Sequence, residues 1–318
     1  MSKEVLLHCK HMFKSFGPTK ALVDVELEVN RGEIRGLIGE NGSGKSTISS
    51  IVAGVQPYDS GEMFFKGEPY KPTSMIEAQA KGIAMVVQEM GTISNITVAA
   101  NIFIGKEKLF CKGPFLSVKK MNEAAKKILV EIGADHIDPA APINDLNFED
   151  RKIVEIARAM YDHPEIFIVD ETTTALSQRG RDIVYNIMRK LSSEKKAVLF
   201  ISHDLSVVEH ISDTVGVMYL GNLVEYGATE DIFKHPLHPY TEALFSAIPI
   251  PDPRVKMNKI PLKGELSSPI NPKPGCRFAK RCPYATPECT AGDIPLCEIE
   301  PGHSVACIKA AQFKDAMA

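Results

Sequence analysis

The sequence has no long hydrophobic run and no excess of basic residues, and the residues at its N-terminus do not resemble a signal peptide. No apolar stretch approaches the ~20 residues that a membrane-spanning helix needs, and the N-terminus MSKEVLLHCK lacks the features of a signal peptide. Lysine and arginine total 37 against 40 acidic residues, which gives no support to nucleic-acid binding. Internal repeats and low-complexity tracts are also absent from the sequence. What remains, 318 residues with 44% hydrophobic content, describes a globular chain that we expect to stay in the cytoplasm.

Strand-like and helix-like segments alternate over residues 1–235. The strand-like runs are EIRGLIG, IAMVVQ, IFIVD, AVLFIS and VGVMYL, and helical periodicity marks STISSIVAG, NEAAKKILVEIGA and RGRDIVYNIMRKL. This alternation predicts a mostly parallel sheet flanked by helices. Strand signals stop between Gln88 and Asp162, which predicts an inserted helical subdomain over about residues 89–162. Prolines and then cysteines follow, so we place a separate C-terminal extension at residues 236–318.

The motif GENGSGKST follows the strand-like run EIRGLI and precedes the helical segment STISSIVAG. It fits the phosphate-binding loop GxxxxGK[ST], and it lies between a strand and a helix as that loop does. The alternative is a simple glycine-rich turn, which would not need this context. Glycines let successive backbone N–H groups face a phosphate, Lys45 can reach the β- and γ-phosphates of ATP, and the Ser46 hydroxyl can bind Mg²⁺. The predicted ATP-binding residues are Gly39, Asn41, Gly42, Ser43, Gly44, Lys45, Ser46 and Thr47.

Polar residues end three further strand-like runs. Asp170 and Glu171 follow an apolar run, and we expect Asp170 to hold Mg²⁺ and Glu171 to polarise the attacking water. His203 and Gln88 end two other runs in the same way, and we predict a γ-phosphate contact for His203 and a catalytic and Mg²⁺-binding role for Gln88. Acids on a solvated loop and a structural histidine are the alternatives. The phosphate loop favours a shared site because parallel strands deliver their carboxyl ends to one crevice.

The order of these motifs resembles the nucleotide-binding subunit of an ATP-binding cassette (ABC) transporter over about residues 5–235. The resemblance implies an α/β P-loop NTPase cassette with an inserted helical subdomain, followed here by a small cysteine-rich extension. In that family two cassettes form a head-to-tail dimer, with ATP between one phosphate loop and the signature sequence LSGGQ of the other. An aromatic residue near the N-terminus stacks on adenine. Phe16 matches that position, with Phe13 as the weaker candidate and a core role as the alternative for Phe16.

The signature sequence should occupy residues 146–150, where this chain reads LNFED. Asn147 replaces the serine, Glu149 a glycine and Asp150 the glutamine. The family version aims a hydroxyl, backbone N–H groups and a helix N-terminus at the γ-phosphate, so LNFED is expected to aim acids at it. Two like charges about 4 Å apart, at an effective dielectric near 20, repel by roughly 4 kcal/mol.

Other features keep alternatives open at this helix end. Asn147 can still donate a hydrogen bond, Arg151 or Lys152 can offset part of the repulsion, and acids in a first helical turn also suit the helix dipole. The phosphate loop and the acids at the strand ends are intact in the same chain. We therefore favour a heterodimer with a second ABC ATPase subunit that has an intact signature over a homodimer.

The sequence resembles two branches of the family that transport different substrates. The pieces GLIGENGSGKST, MVVQEM, NIFIGKE and DETTTALSQ resemble sugar-importer ATPases. In the extension, KHPLHPYTEALFSAIP and GCRFAKRCPYATPEC resemble oligopeptide and dipeptide importer ATPases, and Pro239 is expected to start a helix there. We favour peptides because random sequence change is less able to produce a resemblance over a whole appended segment than a resemblance in scattered short motifs.

Five of the seven cysteines lie in the C-terminal extension. Members of the peptide branch with this spacing can hold a [4Fe-4S] cluster, and four thiolates suit such a cluster. Zinc in a closed site and no metal at all are the alternatives. Cys297 and His303 are substitute ligands. The four predicted ligands are Cys276, Cys282, Cys289 and Cys307.

The resemblance implies an ATP-hydrolysing, Mg²⁺-dependent subunit of an ABC importer, peripheral to the cytoplasmic face of the membrane. Its implied partners are a second ABC ATPase subunit, transmembrane permease subunits and an extracellular substrate-binding protein, with no nucleic acid. One alternative is a regulatory nucleotide-binding ABC protein with little hydrolysis and a redox- or iron-sensing tail. Another is an ABC protein of translation or repair, but these normally carry two cassettes or a long coiled-coil insertion.

Overall fold

The computed structural model describes residues 4–248, 260–262 and 268–312. The strands are β1 Val5–Phe16, β2 Thr19–Asn30, β3 Ile34–Ile38, β4 Ser60–Phe65, β5 Glu68–Pro69, β6 Ile83–Val86, β7 Cys111–Lys112, β8 Phe115–Leu116, β9 Ile166–Asp170, β10 Ala197–Ile201, β11 Thr214–Tyr219, β12 Asn222–Ala228, β13 Cys297–Glu300 and β14 His303–Val305. The helices are α1 Lys45–Val52, α2 Met75–Lys81, α3 Val98–Ile102, α4 Val118–Glu131, α5 Phe148–Met160, α6 Gln178–Ser193, α7 Leu205–Ile211, α8 Thr229–Lys234 and α9 Pro239–Ser246. Short 3₁₀ turns cover Glu107–Phe110, Ile143–Asp145 and Pro287–Thr290.

The main sheet has the strand order β13-β14-β12-β11-β3-β10-β9-β6. Its β6, β9, β10, β3 and β11 pair in parallel, as the alternation of strands and helices predicts. Every residue of β3, β9 and β10 is buried, because helices or a second sheet cover both faces. Along β9, Phe167 and Val169 enter one hydrophobic core, whereas Ile166 and Ile168 enter the other.

The N-terminal strands form a second, antiparallel sheet in the order β2-β1-β4-β5, which the sequence analysis did not predict. Strands β1 and β2 form a hairpin that closes at the pair Phe16 and Thr19. Charged residues alternate with apolar ones along both strands, and the apolar ones, among them Leu7 and Leu27, enter the same core as α1. This sheet therefore covers α1 and the strand that leads into the phosphate loop.

The predicted helical subdomain is present and consists mainly of α3, α4 and α5. The small hairpin of β7 and β8 interrupts it, so strand structure does not stop completely in this region. Helix α5 begins after Asn147, whose side chain accepts a hydrogen bond of 2.8 Å from the Asp150 N–H. This is the ordinary N-cap role of asparagine.

The described parts of the C-terminal extension pack against the cassette and lengthen its main sheet. Strand β14 pairs with β12, and β13 pairs with β14. The buried carboxylate of Glu225 accepts hydrogen bonds from the Leu237 and His238 N–H groups and lies 2.8 Å from His303 Nε2. Pro239 begins α9, as predicted. Parts of the predicted extension lie outside the described residues, and its boundary at residue 236 stays a prediction.

Candidate functional site

The phosphate loop joins β3 to α1 through a backbone that requires glycine at two positions. Gly39 has φ 145° and Gly44 has φ 106°, both in the region that favours glycine. A Cβ on Gly39 would lie 2.2 Å from the Met218 carbonyl oxygen, and one on Gly44 would lie 2.8 Å from the Ala21 carbonyl oxygen. The neighbouring backbones therefore leave no room for a side chain at either glycine.

The Lys45 side chain folds back into the phosphate loop. Its ammonium group donates to the carbonyl oxygens of Gly39 and Glu40, at 2.9 and 3.1 Å, and its side chain is almost fully buried. Burial lowers the pKa of Lys45, while the nearby Glu171 and Asp170 oppose that shift. The loop thus holds a cation at the N-terminus of α1, where an anionic phosphate is favoured.

Asp170 lies at the end of β9, beneath the first turn of α1. Its carboxylate oxygens accept hydrogen bonds from the hydroxyl groups of Ser46 and Ser49, each 3.2 Å long. Burial raises the pKa of Asp170. A carboxylate beside a serine hydroxyl is an oxygen donor set that fits Mg²⁺. The structure therefore brings together two of the predicted Mg²⁺ ligands.

Glu171 and His203 lie at the ends of β9 and β10, on the same edge of the sheet. The Glu171 carboxylate is 2.7 Å from His203 Nε2. Glu171 has φ 48°, an uncommon value for a residue other than glycine and one that is found at constrained functional positions. Its backbone N–H donates to the Ile201 carbonyl oxygen at 3.0 Å, which fixes this turn to the neighbouring strand.

One open cleft, with an empty volume of about 980 Å³, gathers most of the predicted residues. Gly39 and Asp170 lie beneath it. Thr174 also lines the cleft and was missed by the sequence analysis, although its place three residues after Glu171 could have indicated it. Phe16 does not line the cleft, and 48% of its surface is exposed. The lining residues are Asn41, Gly42, Ser43, Gly44, Lys45, Ser46, Thr47, Gln88, Glu171, Thr174 and His203.

The acids of the signature segment contact other residues of this chain, and their expected approach to a partner's phosphate stays a prediction. Glu149 accepts a hydrogen bond of 2.6 Å from the Ser177 N–H. Asp150 lies 2.8 Å from His136 Nε2, and Arg179 contacts the other nitrogen of that imidazole. At the exposed start of α5 the chain instead presents Phe148, at the position of the first signature glycine. The sequence analysis did not single out this residue.

The cations that follow in α5 do not compensate those acids. Arg151 donates to backbone carbonyl oxygens of residues 144 and 146. Lys152 is buried, and its ammonium group lies 3.1 and 2.6 Å from the carbonyl oxygens of Val87 and Glu89, which flank Gln88. A salt bridge of 2.8 Å joins Lys152 to Glu155. These contacts connect the signature helix to the loop that carries Gln88.

The four predicted cysteine ligands line one cavity with an empty volume of about 340 Å³. Burial raises the pKa of Cys276 to about 11 and also raises those of Cys282 and Cys307, with smaller contributions from the other thiols. Cys297 is exposed and His303 is bound to Glu225, so neither substitute ligand lines the cavity. Among the described residues, no three metal-ligating side chains are close enough to hold one ion.

No helix in the described part of the chain is both long and apolar enough to cross a membrane.

Two family models match the sequence. Residues 22–174 match the ABC transporter model, and residues 224–289 match the model of the oligopeptide/dipeptide transporter C-terminal region. The second match includes the start of the cysteine-rich segment.

Full-length relatives and solved cassettes agree with these matches. The Escherichia coli oligopeptide transport ATP-binding protein OppF is 37% identical, covering 91% of this chain and 88% of the relative. The Bacillus subtilis oligopeptide transport ATP-binding protein AppF is 36% identical, covering 92% and 91%. A crystal structure of a nucleotide-free ATP-binding cassette from an ABC transporter superposes with a TM-score of 0.65 at 26% identity, covering 76% of this chain and 98% of that chain.

Proposed function

This chain belongs to the ATP-binding subunits of ABC transporters, and we propose that it hydrolyses ATP to drive the import of oligopeptides. Membership and the P-loop ATPase fold rest on the relatives and the cassette structures above. The observation that carries the proposal is the cleft, because it places Lys45, Glu171 and His203 on one edge of the sheet. Peptides are favoured over sugars because the matching relatives are oligopeptide transport proteins that cover nearly the whole chain.

Each residue of the cleft has a role that its position supports. Lys45 lies where its ammonium group can turn from the loop carbonyls to the β- and γ-phosphates. Ser46 and Asp170 would hold Mg²⁺, with Gln88 as a further ligand, and the ion would neutralise phosphate charge. Glu171 orients and polarises the attacking water, and His203 holds the Glu171 carboxylate in place. Phe16, although outside the cleft, is the proposed adenine-stacking residue on an exposed strand end.

The second ATPase of the dimer is proposed to be a different chain with an intact signature. The reason differs from charge repulsion, because Glu149 and Asp150 are engaged within this chain. Phe148 at a glycine position puts an aromatic ring where a phosphate would need to approach backbone N–H groups. A heterodimer would therefore have one complete ATP site, formed by this phosphate loop and the partner's signature.

The remaining partners follow from the type of transporter. We infer that transmembrane permease subunits bind this chain at the cytoplasmic face of the membrane. A substrate-binding protein outside the cell would deliver the peptide. These assignments extend the relatives' activity to this chain, and nucleic acid has no part in them.

The cysteine cavity is proposed to hold a [4Fe-4S] cluster in preference to zinc. Four thiols that line one cavity provide the donor set of such a cluster. A single zinc ion needs all four sulfur atoms within about 2.3 Å of one point, whereas no three ligating side chains of the described residues are grouped around one point. The preference for a cluster over zinc rests on the cysteine spacing, because five and six intervening residues are more than the usual spacing of zinc ligands.

The test of this function uses the purified chain, alone and reconstituted with its permease and second ATPase. We expect Mg²⁺-dependent ATP hydrolysis that requires the second ATPase and is lost in Lys45→Ala. Cells that lack the chain should fail to take up a labelled tripeptide and should take up labelled ribose at the normal rate. The opposite uptake result would assign the chain to sugar import. Vigorous hydrolysis by the chain alone would contradict the heterodimer.

A further inference from the structure

We propose that Tyr240 and Arg281 of the C-terminal extension are positioning residues for the phosphate loop, acting through Glu40. This inference rests on the proposed function, because it concerns how the same ATP site is shaped. Glu40 is the second residue of the loop GENGSGKST, and the extension contacts it in two different ways.

Both parts of Glu40 are bound by the extension. Its backbone N–H donates to the Tyr240 hydroxyl oxygen at 2.8 Å. Its carboxylate accepts two hydrogen bonds from Arg281, at 3.3 and 3.1 Å, in a salt bridge that is largely shielded from solvent on the Arg281 side. Charge-assisted contacts of this kind are stronger than neutral ones. The two contacts fix the Gly39–Glu40 peptide and the side chain of Glu40.

Glu40 in turn controls the resting place of the catalytic cation. Its carbonyl oxygen accepts hydrogen bonds from the Lys45 ammonium group, at 3.1 Å, and from the Ser43 N–H, also at 3.1 Å. The Gly39–Glu40 peptide that Tyr240 holds also carries the Gly39 carbonyl oxygen, which accepts a hydrogen bond of 2.9 Å from Lys45. A rotation of this peptide would move that oxygen away from Lys45, and a displacement of Glu40 as a whole would also move its own carbonyl oxygen from Lys45 and Ser43. The position of Glu40 thus sets the geometry of the N–H groups and the cation that meet the phosphates.

The extension is rigid at the point where it makes these contacts. Tyr240 is fully buried, and its ring packs against Tyr219 and Phe278, with ring centroids 4.6 and 5.5 Å apart. Arg281 also donates to the Tyr219 hydroxyl, at 3.4 Å. It lies in the turn between Cys276 and Cys282, and both of these cysteines line the cysteine cavity. The same short turn therefore connects that cavity to the phosphate loop.

The test measures Mg²⁺-dependent binding of a fluorescent N-methylanthraniloyl ATP to the full-length chain and its variants. Tyr240→Phe removes the acceptor for the Glu40 N–H, and Arg281→Gln removes the salt bridge. We expect each to weaken binding by about 3- to 10-fold. Arg281→Lys should restore part of the affinity, since lysine keeps a donor and the charge. Because Arg281 acts through the Glu40 carboxylate, Arg281→Gln should add no further loss to Glu40→Gln.

Two matched controls separate positioning from general damage. Tyr226→Phe removes a hydroxyl that is bonded to Arg35 at 2.7 Å, near the opposite end of β3 from the loop. Glu298→Ala removes the acceptor of a 2.7 Å hydrogen bond from the Gly302 N–H, within the extension and outside the cysteine cavity. Both variants should bind the fluorescent ATP like the wild type, so that a loss confined to the test variants cannot come from the removal of just any hydrogen bond.

Three results would count against the inference, and they are distinguishable. Unchanged affinity in Tyr240→Phe and Arg281→Gln, with normal wild-type binding, would overturn the positioning role alone. Losses that multiply fully between Arg281→Gln and Glu40→Gln would show that Arg281 does not act through Glu40. A wild-type chain that fails to bind Mg·ATP would contradict the proposed function and this inference with it.

Discussion

The Glu171 carboxylate lies 2.7 Å from the His203 imidazole, although the two residues end different strands. Their strands, β9 and β10, are parallel neighbours, so both side chains project from the same edge of the sheet. The contact orients the carboxylate towards the cleft that holds the phosphate loop. In the proposed mechanism, Glu171 acts on water and His203 fixes the orientation of the Glu171 carboxylate.

The first prediction concerns these two residues. In the reconstituted transporter, Glu171→Gln should lower the maximal rate of ATP hydrolysis by about 100-fold or more, because the amide cannot polarise water as a carboxylate does. His203→Ala should lower that rate by a smaller factor. ATP binding should be retained in both variants. Phosphate release and nucleotide affinity are the measurements, and a Glu171→Gln variant that keeps most of its rate would remove Glu171 from the mechanism.

Asp170 gives a prediction about stability and pH. Burial raises its pKa, so folding favours the neutral carboxyl group. The stability from the neutral form is fully present below the ordinary pKa of about 4 and is lost as the pH rises through the raised value. At pH 7.5 without nucleotide or Mg²⁺, Asp170→Asn should therefore melt at a higher temperature than the wild type. The difference should shrink as the pH falls towards 4.

The same Asp170 variant should lose the dependence of ATP binding on Mg²⁺, since an amide is a poorer ligand for that ion. Ser49→Ala is the control, because it removes one hydrogen bond to Asp170 and keeps the carboxylate. For the stability prediction, the contrary result is a difference in melting temperature between Asp170→Asn and the wild type that grows as the pH falls. It would show that the charged form of Asp170 is favoured in the folded protein.

Much of the fold could be predicted because its central strands have an unusual composition. Strands β9 and β10 are apolar at nearly every position, and β3 is apolar at three of its five, as is typical of strands buried on both faces. The N-terminal sheet was missed because lysine, histidine and glutamate interrupt β1 and β2, so no apolar run marks these strands. The edge formed by β13 and β14 was missed for a related reason, since these strands are very short.

Some features of the candidate site could also be predicted from the sequence, and others could not. The phosphate loop is continuous in sequence, so its motif identifies it. Contacts between distant residues carry no such signal. Arg281 and Glu40, whose side chains form a salt bridge, are 241 positions apart, and Glu149 and the Ser177 N–H that it accepts from are 28 positions apart. The partners of the signature acids within this chain were therefore not predicted, although the presence of these acids at a helix start was evident.

Glu149 gives a prediction that separates its structural role from any role at a phosphate. Glu149→Gly should lower the free energy of unfolding by about 1–2 kcal/mol, because the Ser177 N–H loses its acceptor and a glycine enters the first turn of α5. Glu149→Gln keeps an acceptor oxygen and should cost less. Chemical denaturation of the isolated chain measures both. Equal stability of all three proteins would mean that the Glu149 contact contributes little.

The last prediction concerns the metal content of the cysteine cavity. Chain purified without oxygen should contain about four iron and four acid-labile sulfide atoms, as a [4Fe-4S] cluster requires. Replacing Cys276 or Cys289 with serine should lower the iron content severely, because each thiol lines the cavity. Cys297→Ser is the matched control: this thiol is exposed and lies outside the cavity, so the variant should keep its iron. One zinc atom per chain would replace the cluster with a mononuclear site, and equal iron loss in Cys297→Ser would show that the cavity is not the site.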